Sequence, residues 1–156
     1  MAEENKDIAG VIALPPLIYL GPLVVGLVLH AVRPIAIVPR VLSRVLGVAL
    51  IGSALAVGAT AFAALRRADT PPDPREPTQA IVATGPYRFT RNPIYLAFTL
   101  LYAGITLVAN ARWPALLLPA VLIVMRRGVI DREERYLEQR FGDEYRQYKA
   151  RVRRWV

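Results

Sequence analysis

The stretch Val45–Leu65, VLGVALIGSALAVGATAFAAL, decides the fold, because it runs from end to end without one charged side chain. A helix needs roughly 20 apolar residues to cross a bilayer, so this segment is long enough to span. Its small residues (Gly47, Gly52, Ala54, Ala56, Gly58, Ala59, Ala61) let helix backbones approach closely in lipid, and we expect it to pack against neighbouring spans. Upstream, Val11–Val32 carries no acid or base except His30 near its end and is a second span. Downstream, Ile94–Ala109 is a slightly short third, and Trp113–Met125, interrupted by Pro114 and Pro119, is a fourth. Asn110-Ala111-Arg112 is so short a connection that spans three and four are expected to form a tight antiparallel hairpin. Arg126 and Arg127 can snorkel from the end of span four and lengthen its reach.

The whole chain agrees with a membrane reading. Of 156 residues 54% are apolar, and 20 Lys+Arg stand against 12 Asp+Glu, the charges lying between and after the apolar blocks. No nucleic-acid partner is expected. There is no cysteine and one histidine, which excludes disulfides, thiolate metal sites and a cysteine nucleophile and leaves no basis for a histidine-metal cluster or a Ser-His-Asp triad. No metal site is expected, and His30 reads as an interfacial or packed residue. The residues before Val11 include Glu3, Glu4 and Asp7 against Lys6. That is the wrong flank for a signal peptide, so the first span is read as retained.

The expected fold is therefore all-α: a polytopic integral membrane protein with about four transmembrane helices and a cytoplasmic C-terminal helical tail. Its parts are an N-terminal pair of spans (1–65), a loop (66–93) and a hairpin with its tail (94–156). Four spans put the N-terminus, the loop and the tail on one side, with sixteen of the twenty basic residues; only Arg33, Arg40, Arg44 and Arg112 lie opposite. The excess of Lys and Arg marks the cytoplasmic side, so both termini are expected there.

In the loop, Asp69–Pro77 (DTPPDPREP) cannot be helical with four prolines in it. Asn92 then suits an N-cap and Pro93 the first helical position, so span three should begin there, pointing unpaired N–H groups at the cytoplasm. The tail from Arg126 reads as helix to about Arg140, stopped by Gly142; Asp143 caps a short second helix bearing Tyr145 and Tyr148. Adjacent residues diverge by about 100° around a helix, so of Glu133 and Glu134 one is expected to face the bundle and the other water. A carboxylate facing the bundle is costly unless a cation meets it. Arg151–Trp155 is expected to lie on anionic lipid.

Taken together, Gly85-Pro86-Tyr87-Arg88-Phe89-Thr90-Arg91-Asn92-Pro93-Ile94-Tyr95, the apolar hairpin, Glu133-Glu134-Arg135-Tyr136-Leu137 and Phe141-Gly142-Asp143-Glu144-Tyr145 with Tyr148 resemble the isoprenylcysteine carboxyl methyltransferase family. That family is related to the phospholipid methyltransferases. The resemblance covers roughly residues 79–156, the expected methyltransferase core. It implies a helical membrane enzyme that uses S-adenosylmethionine at the cytoplasmic face of a bacterial or archaeal inner membrane. Its acceptor is expected to be lipophilic or amphipathic and to enter from the bilayer. By position, Gln79, Ala80, Ile81 and Val82 would line the cofactor through their backbone. Tyr87 and Asn92, Pro93, Ile94 and Tyr95 would hold its nucleoside end. Glu133, beside Glu134, would pair with its amino group. The family usually has histidine where Asn92 stands, so no role for a titrating imidazole carries over. Its substrate-contacting arginine aligns with Val129, leaving Arg126, Arg127 and Arg132 as candidate substitutes.

Two alternatives remain open on the sequence. Membrane sterol and steroid reductases, which use NADPH, have a similar Arg-Asn-Pro-x-Tyr turn, but their cofactor's phosphates prefer arginines to a pair of glutamates. A non-catalytic membrane scaffold is the other. The acceptor atom (carboxylate, amine, thiol or hydroxyl) and the oligomeric state are not legible.

Overall fold

The computed structural model describes residues 8–156, so the expectation for the flank Glu3–Asp7 lies outside the described residues. Among the described residues six α-helices succeed one another: α1 (Pro15–Val32), α2 (Arg40–Arg67), α3 (Pro93–Val108), α4 (Arg112–Met125), α5 (Asp131–Phe141) and α6 (Asp143–Arg151). A 3-10 turn spans Gly85–Arg88, and a π turn, Arg126–Ile130, joins α4 to α5 without a break. Among the described residues the β structure is limited to one isolated parallel bridge, Thr90 to Arg153. By length and composition three helices can cross a membrane: α1, α2 and the continuous rod Arg112–Phe141. The uninterrupted apolar part of that rod ends at Met125, and α5 is densely charged (DREERYLEQRF). The helix α3 is a shorter apolar one. The third span is the short one, as expected, and the π turn prolongs the fourth rather than ending it.

Side-chain exposure supports the membrane reading. Leu17, Val25 and Val28 on α1 and Val41, Val45, Val48 and Leu55 on α2 are large apolar residues about half or more exposed. Such continuous apolar surface on helices marks contact with lipid or a partner rather than with water. The buried core is small, formed by Tyr19, Leu23, Tyr95, Tyr102, Val121, Met125, Val129 and Ile130.

Packing departs from the expected hairpin. The helix α3 lies chiefly against α2 and α4 against α1, while α3 and α4 touch little beyond their connection; one link between them is the Tyr102 hydroxyl, which donates to the Pro114 carbonyl at 2.9 Å. Glycine explains the pairing. A Cβ on Gly47 would lie 2.7 Å from Val108 N and 2.8 Å from Gly104 O, and one on Gly26 would lie 2.7 Å from Pro114 Cα. Short loops then exploit Asn110, whose φ of +51° is tolerable for asparagine. Its side-chain oxygen accepts from Ile37 N (2.9 Å) and its amide donates to Val38 O (2.9 Å), tying the α3–α4 turn to the α1–α2 loop.

The close crossing of α2 and α3 can be tested by paired substitutions. Gly47→Ala forces a Cβ into backbone, an overpacking that costs about 1–3 kcal/mol. Gly52→Ala on the same helix meets nothing within 4 Å and gains helix propensity of up to about 1 kcal/mol. In detergent, thermal unfolding should fall for the first variant and hold or rise for the second.

Candidate functional site

At the end of the bundle where α2 finishes and α3 begins, a half-open cleft lies between the loop 70–82, the turn 85–95 and the helices α5 and α6. The start of α3 is as expected, with Pro93 in its first turn. Asn92 occupies the N-cap position but makes no side-chain cap. Its side-chain amide donates to the Arg154 carbonyl at 2.9 Å, which turns the side chain toward the returning C-terminal segment. At the other wall Gly142, with φ +55°, ends α5 and is itself the N-cap of α6. Asp143, expected as the cap, sits one residue inside and pairs with Arg146.

Of the predicted cofactor residues, Ala80, Ile81, Val82, Tyr87, Asn92, Pro93, Ile94, Tyr95, Glu133 and Glu134 all line this one cleft. Gln79 does not: it is exposed, and its side-chain amide donates to Pro77 O at 3.1 Å. The three candidate arginines are also elsewhere. Arg126 and Arg127 are exposed on the π turn, and Arg132 reaches back to donate to the Gly10 carbonyl at 2.8 Å. Val129 is fully buried in the apolar core.

Both glutamates face inward, correcting the expectation that one would face water. The lining residues Glu133, Glu134, Tyr136 and Leu137 cover an arc of about 160° around α5 at about 100° per residue, and the cleft floor is wide enough to meet all of it. Their environments differ sharply. Glu134 is buried and paired with Arg91 (3.0 Å) and Arg154 (2.7 Å). Glu133 has no lysine or arginine partner among the described residues; its Oε1 accepts a 2.6 Å hydrogen bond from the Tyr95 hydroxyl. Burial pushes the Glu133 carboxyl up to about 7, the Tyr95 bond opposing this and the Glu134 charge adding to it. Burial likewise raises the Tyr87 and Tyr145 hydroxyls well above the usual phenol range. They remain protonated donors and are unsuited to act as bases.

Of the segment Arg151–Trp155, expected to lie on lipid, Arg154 and Trp155 instead turn inward, while the Arg151 and Arg153 side chains are exposed. After α6 the chain turns extended at Val152, Arg91 N donates to Arg153 O at 2.9 Å, and Trp155 packs against the apolar core. Arg154 is held there by ion pairs to Glu134 and Asp131. Sequence reading missed Arg91 and Arg154 altogether. The one available signal was the need for cations near two inward carboxylates, and it could not choose among so many arginines.

A cleft carboxylate held near 7 rather than near 4.5 makes stability depend on pH. Below its unfolded value the group is protonated in both states. As pH rises through 4.5 to 7 the unfolded chain ionises first, so the ligand-free fold loses stability until the folded group ionises too. Glu133→Gln should therefore raise the thermal midpoint at about pH 8 and do so progressively less toward about pH 4. An equal shift at both pH values would show that the carboxylate is not strained in the fold.

The model of the phospholipid methyltransferase family matches residues 42–144, which takes in nearly all of α2, the cleft-lining residues from Leu65 to Leu137 and thus the Glu pair. A protein of Haemophilus influenzae described as uncharacterised is 57% identical over 35 residues, 22% of this chain and 56% of that protein. Methanethiol S-methyltransferase 1 of Bradyrhizobium diazoefficiens is 42% identical over 66 residues, 42% of this chain and 22% of that enzyme. The matches thus span about half of the first relative's length and less than a quarter of the second's. No solved structure matches. With two-thirds of its length inside the family model, the chain belongs to the phospholipid methyltransferase family.

Proposed function

We propose that this protein is a membrane methyltransferase that uses S-adenosylmethionine and acts at the cytoplasmic face on a lipophilic or amphipathic acceptor. The observation that carries the reading is Glu133, a cleft carboxylate bonded to Tyr95 and, unlike its neighbour Glu134, to no cation among the described residues. An ionised group so placed is costly until a positive ligand meets it. The amino end of S-adenosylmethionine is such a ligand, and Ile81, Val82, Ile94 and Tyr87 offer the apolar and aromatic surface that a nucleoside needs. The chemistry of the residues present therefore fits the cofactor.

When bound, the cofactor would supply an electrophilic methyl group for in-line displacement. The chain's own task is placement. Tyr95 fixes one carboxylate oxygen of Glu133 and leaves the other for the ligand's ammonium. The protonated tyrosines donate hydrogen bonds, and the loop 70–82 and α6 shield the cleft from water. Alignment and water exclusion can supply most of the acceleration for such a transfer, so a site without histidine or cysteine is chemically sufficient. Family membership and the Bradyrhizobium enzyme support methyl transfer. That enzyme's name makes a small thiol one acceptor worth assaying beside amine, carboxylate and hydroxyl lipids. The excess of basic residues on the cleft side supports a cytoplasmic site with both termini there, and the bacterial relatives support an inner-membrane location.

The reductase reading is disfavoured by charge. Arg91 is the one arginine in the cleft lining and is already paired with Glu134, so the described cleft offers no uncommitted cation for NADPH phosphates. The test is binding of S-adenosylhomocysteine, which keeps the amino group, to purified protein. The expected result is saturable binding by calorimetry that Glu133→Gln weakens at least about tenfold, equivalent to about 1.4 kcal/mol. Equal affinity in both proteins removes Glu133 from the site. Absence of any binding to the wild type favours the scaffold.

A further inference from the structure

We propose that Arg154 is a positioning residue for the cleft, its backbone and side chain together holding the start of α3 against α5. This rests on the proposed function, since the group it positions is Glu133. The segment after α6 lies beyond residues 42–144, where the family match ends, so its role rests on this chain's own contacts.

Arg154 does not line the cleft, yet it is bonded to both walls. On the α3 side its carbonyl accepts from the Asn92 side-chain amide at 2.9 Å and from the Thr90 hydroxyl at 3.1 Å. The preceding carbonyl, of Arg153, accepts from Arg91 N at 2.9 Å. On the α5 side its guanidinium takes Glu134 in a two-pronged contact, Nε to Oε1 at 3.0 Å and Nη2 to Oε2 at 2.7 Å. Nη1 meets Asp131 at 3.0 Å. The side chain is only partly exposed and its Glu134 partner nearly buried, at 25% and 7%, so these charges are weakly screened.

The geometry makes the consequence specific. Asn92 stands three residues before Tyr95, and Glu134 adjoins Glu133, so Arg154 joins the same two elements that the 2.6 Å Tyr95–Glu133 bond joins. The clasp thereby sets the distance across which that bond forms and the direction in which the free oxygen of Glu133 points. It also neutralises Glu134 without using any group that faces the ligand. Trp155, packed on the cluster that contains Tyr95, pins the segment from the other side. Only arginine's planar fork can serve both oxygens of Glu134 and Asp131 at once; a lysine ammonium satisfies part of this set.

The experiment compares wild type, Arg154→Gln, Arg154→Lys, Glu133→Gln and the double variant Glu133→Gln/Arg154→Gln, all full length and in the same detergent. It reads S-adenosylhomocysteine affinity by calorimetry and amide exchange by mass spectrometry. Arg154→Gln should weaken binding about tenfold or more and Arg154→Lys by an intermediate factor. In the Glu133→Gln background Arg154→Gln should add less than about threefold, because the group it positions is already gone. Exchange should accelerate across Thr90–Tyr95 while α2 is unchanged. Wild-type affinity in Arg154→Gln, unchanged exchange across Thr90–Tyr95, or an undiminished further loss in the Glu133→Gln background each overturns the proposal; the last would indicate general loosening. If the wild type binds no S-adenosylhomocysteine, it is the proposed function that fails, and exchange alone then decides whether Arg154 holds the two walls together. Should Arg154→Gln not fold, Arg154→Lys takes its place, and unchanged binding and exchange in it count against the clasp.

Discussion

Two neighbouring carboxylates at the edge of a bilayer repel each other and lose hydration together, and the structure resolves this by giving them opposite treatment. Glu134 receives two guanidinium groups, from Arg91 and Arg154. Glu133 receives one tyrosine hydroxyl. The first arrangement is a structural ion cluster; the second is an open electrostatic demand. The character of the cleft derives from that division, because satisfying Glu134 from within the protein leaves Glu133 as the group with an unmet need for positive charge.

The bundle serves this end by carrying backbone from four separate segments to one place. Close contact at Gly47 and Gly104 seats α3 on α2, which brings Pro93 and Tyr95 beside the loop that succeeds α2. The π turn at Arg126–Ile130 keeps α4 and α5 continuous while burying Gly128, Val129 and Ile130. Such turns recur at functional sites, and the helix that this one leads into, α5, carries the Glu pair. The strained group and the rigid frame belong together: a mobile wall would let Glu133 reach water and abolish its preference for a cationic ligand.

Much of this was legible from sequence because it depends on local signals. Apolar runs gave the spans, Asn92-Pro93 the start of α3, and Gly142 the break between α5 and α6, each from backbone preferences that hold wherever the residue sits. The ordered motif from Gly85 to Tyr95 and the Glu pair likewise put ten of the eleven anticipated cofactor residues in one cleft; Gln79, on a solvated turn, was the exception. What escaped depends on distant partners. Pairing of α3 with α2 rests on glycines whose contact could be anticipated but not assigned. The roles of Arg91 and Arg154 rest on ion pairs spanning 43 and 20 residues of sequence. Arg154 read as part of a lipid-binding tail because composition records charge but not the buried carboxylate that claims it.

The central claim, that Glu133 waits ionisable and without a cation among the described residues for a positively charged ligand, has a direct signature in protons. With its carboxyl near 7, Glu133 is mostly protonated at about pH 6 and must release that proton to receive an ammonium group. Calorimetric titration of S-adenosylhomocysteine at about pH 6, in buffers of differing ionisation enthalpy, counts the protons exchanged on binding. The account predicts release of close to one proton per ligand, falling toward zero at about pH 8. Binding with no proton release at the lower pH would contradict it.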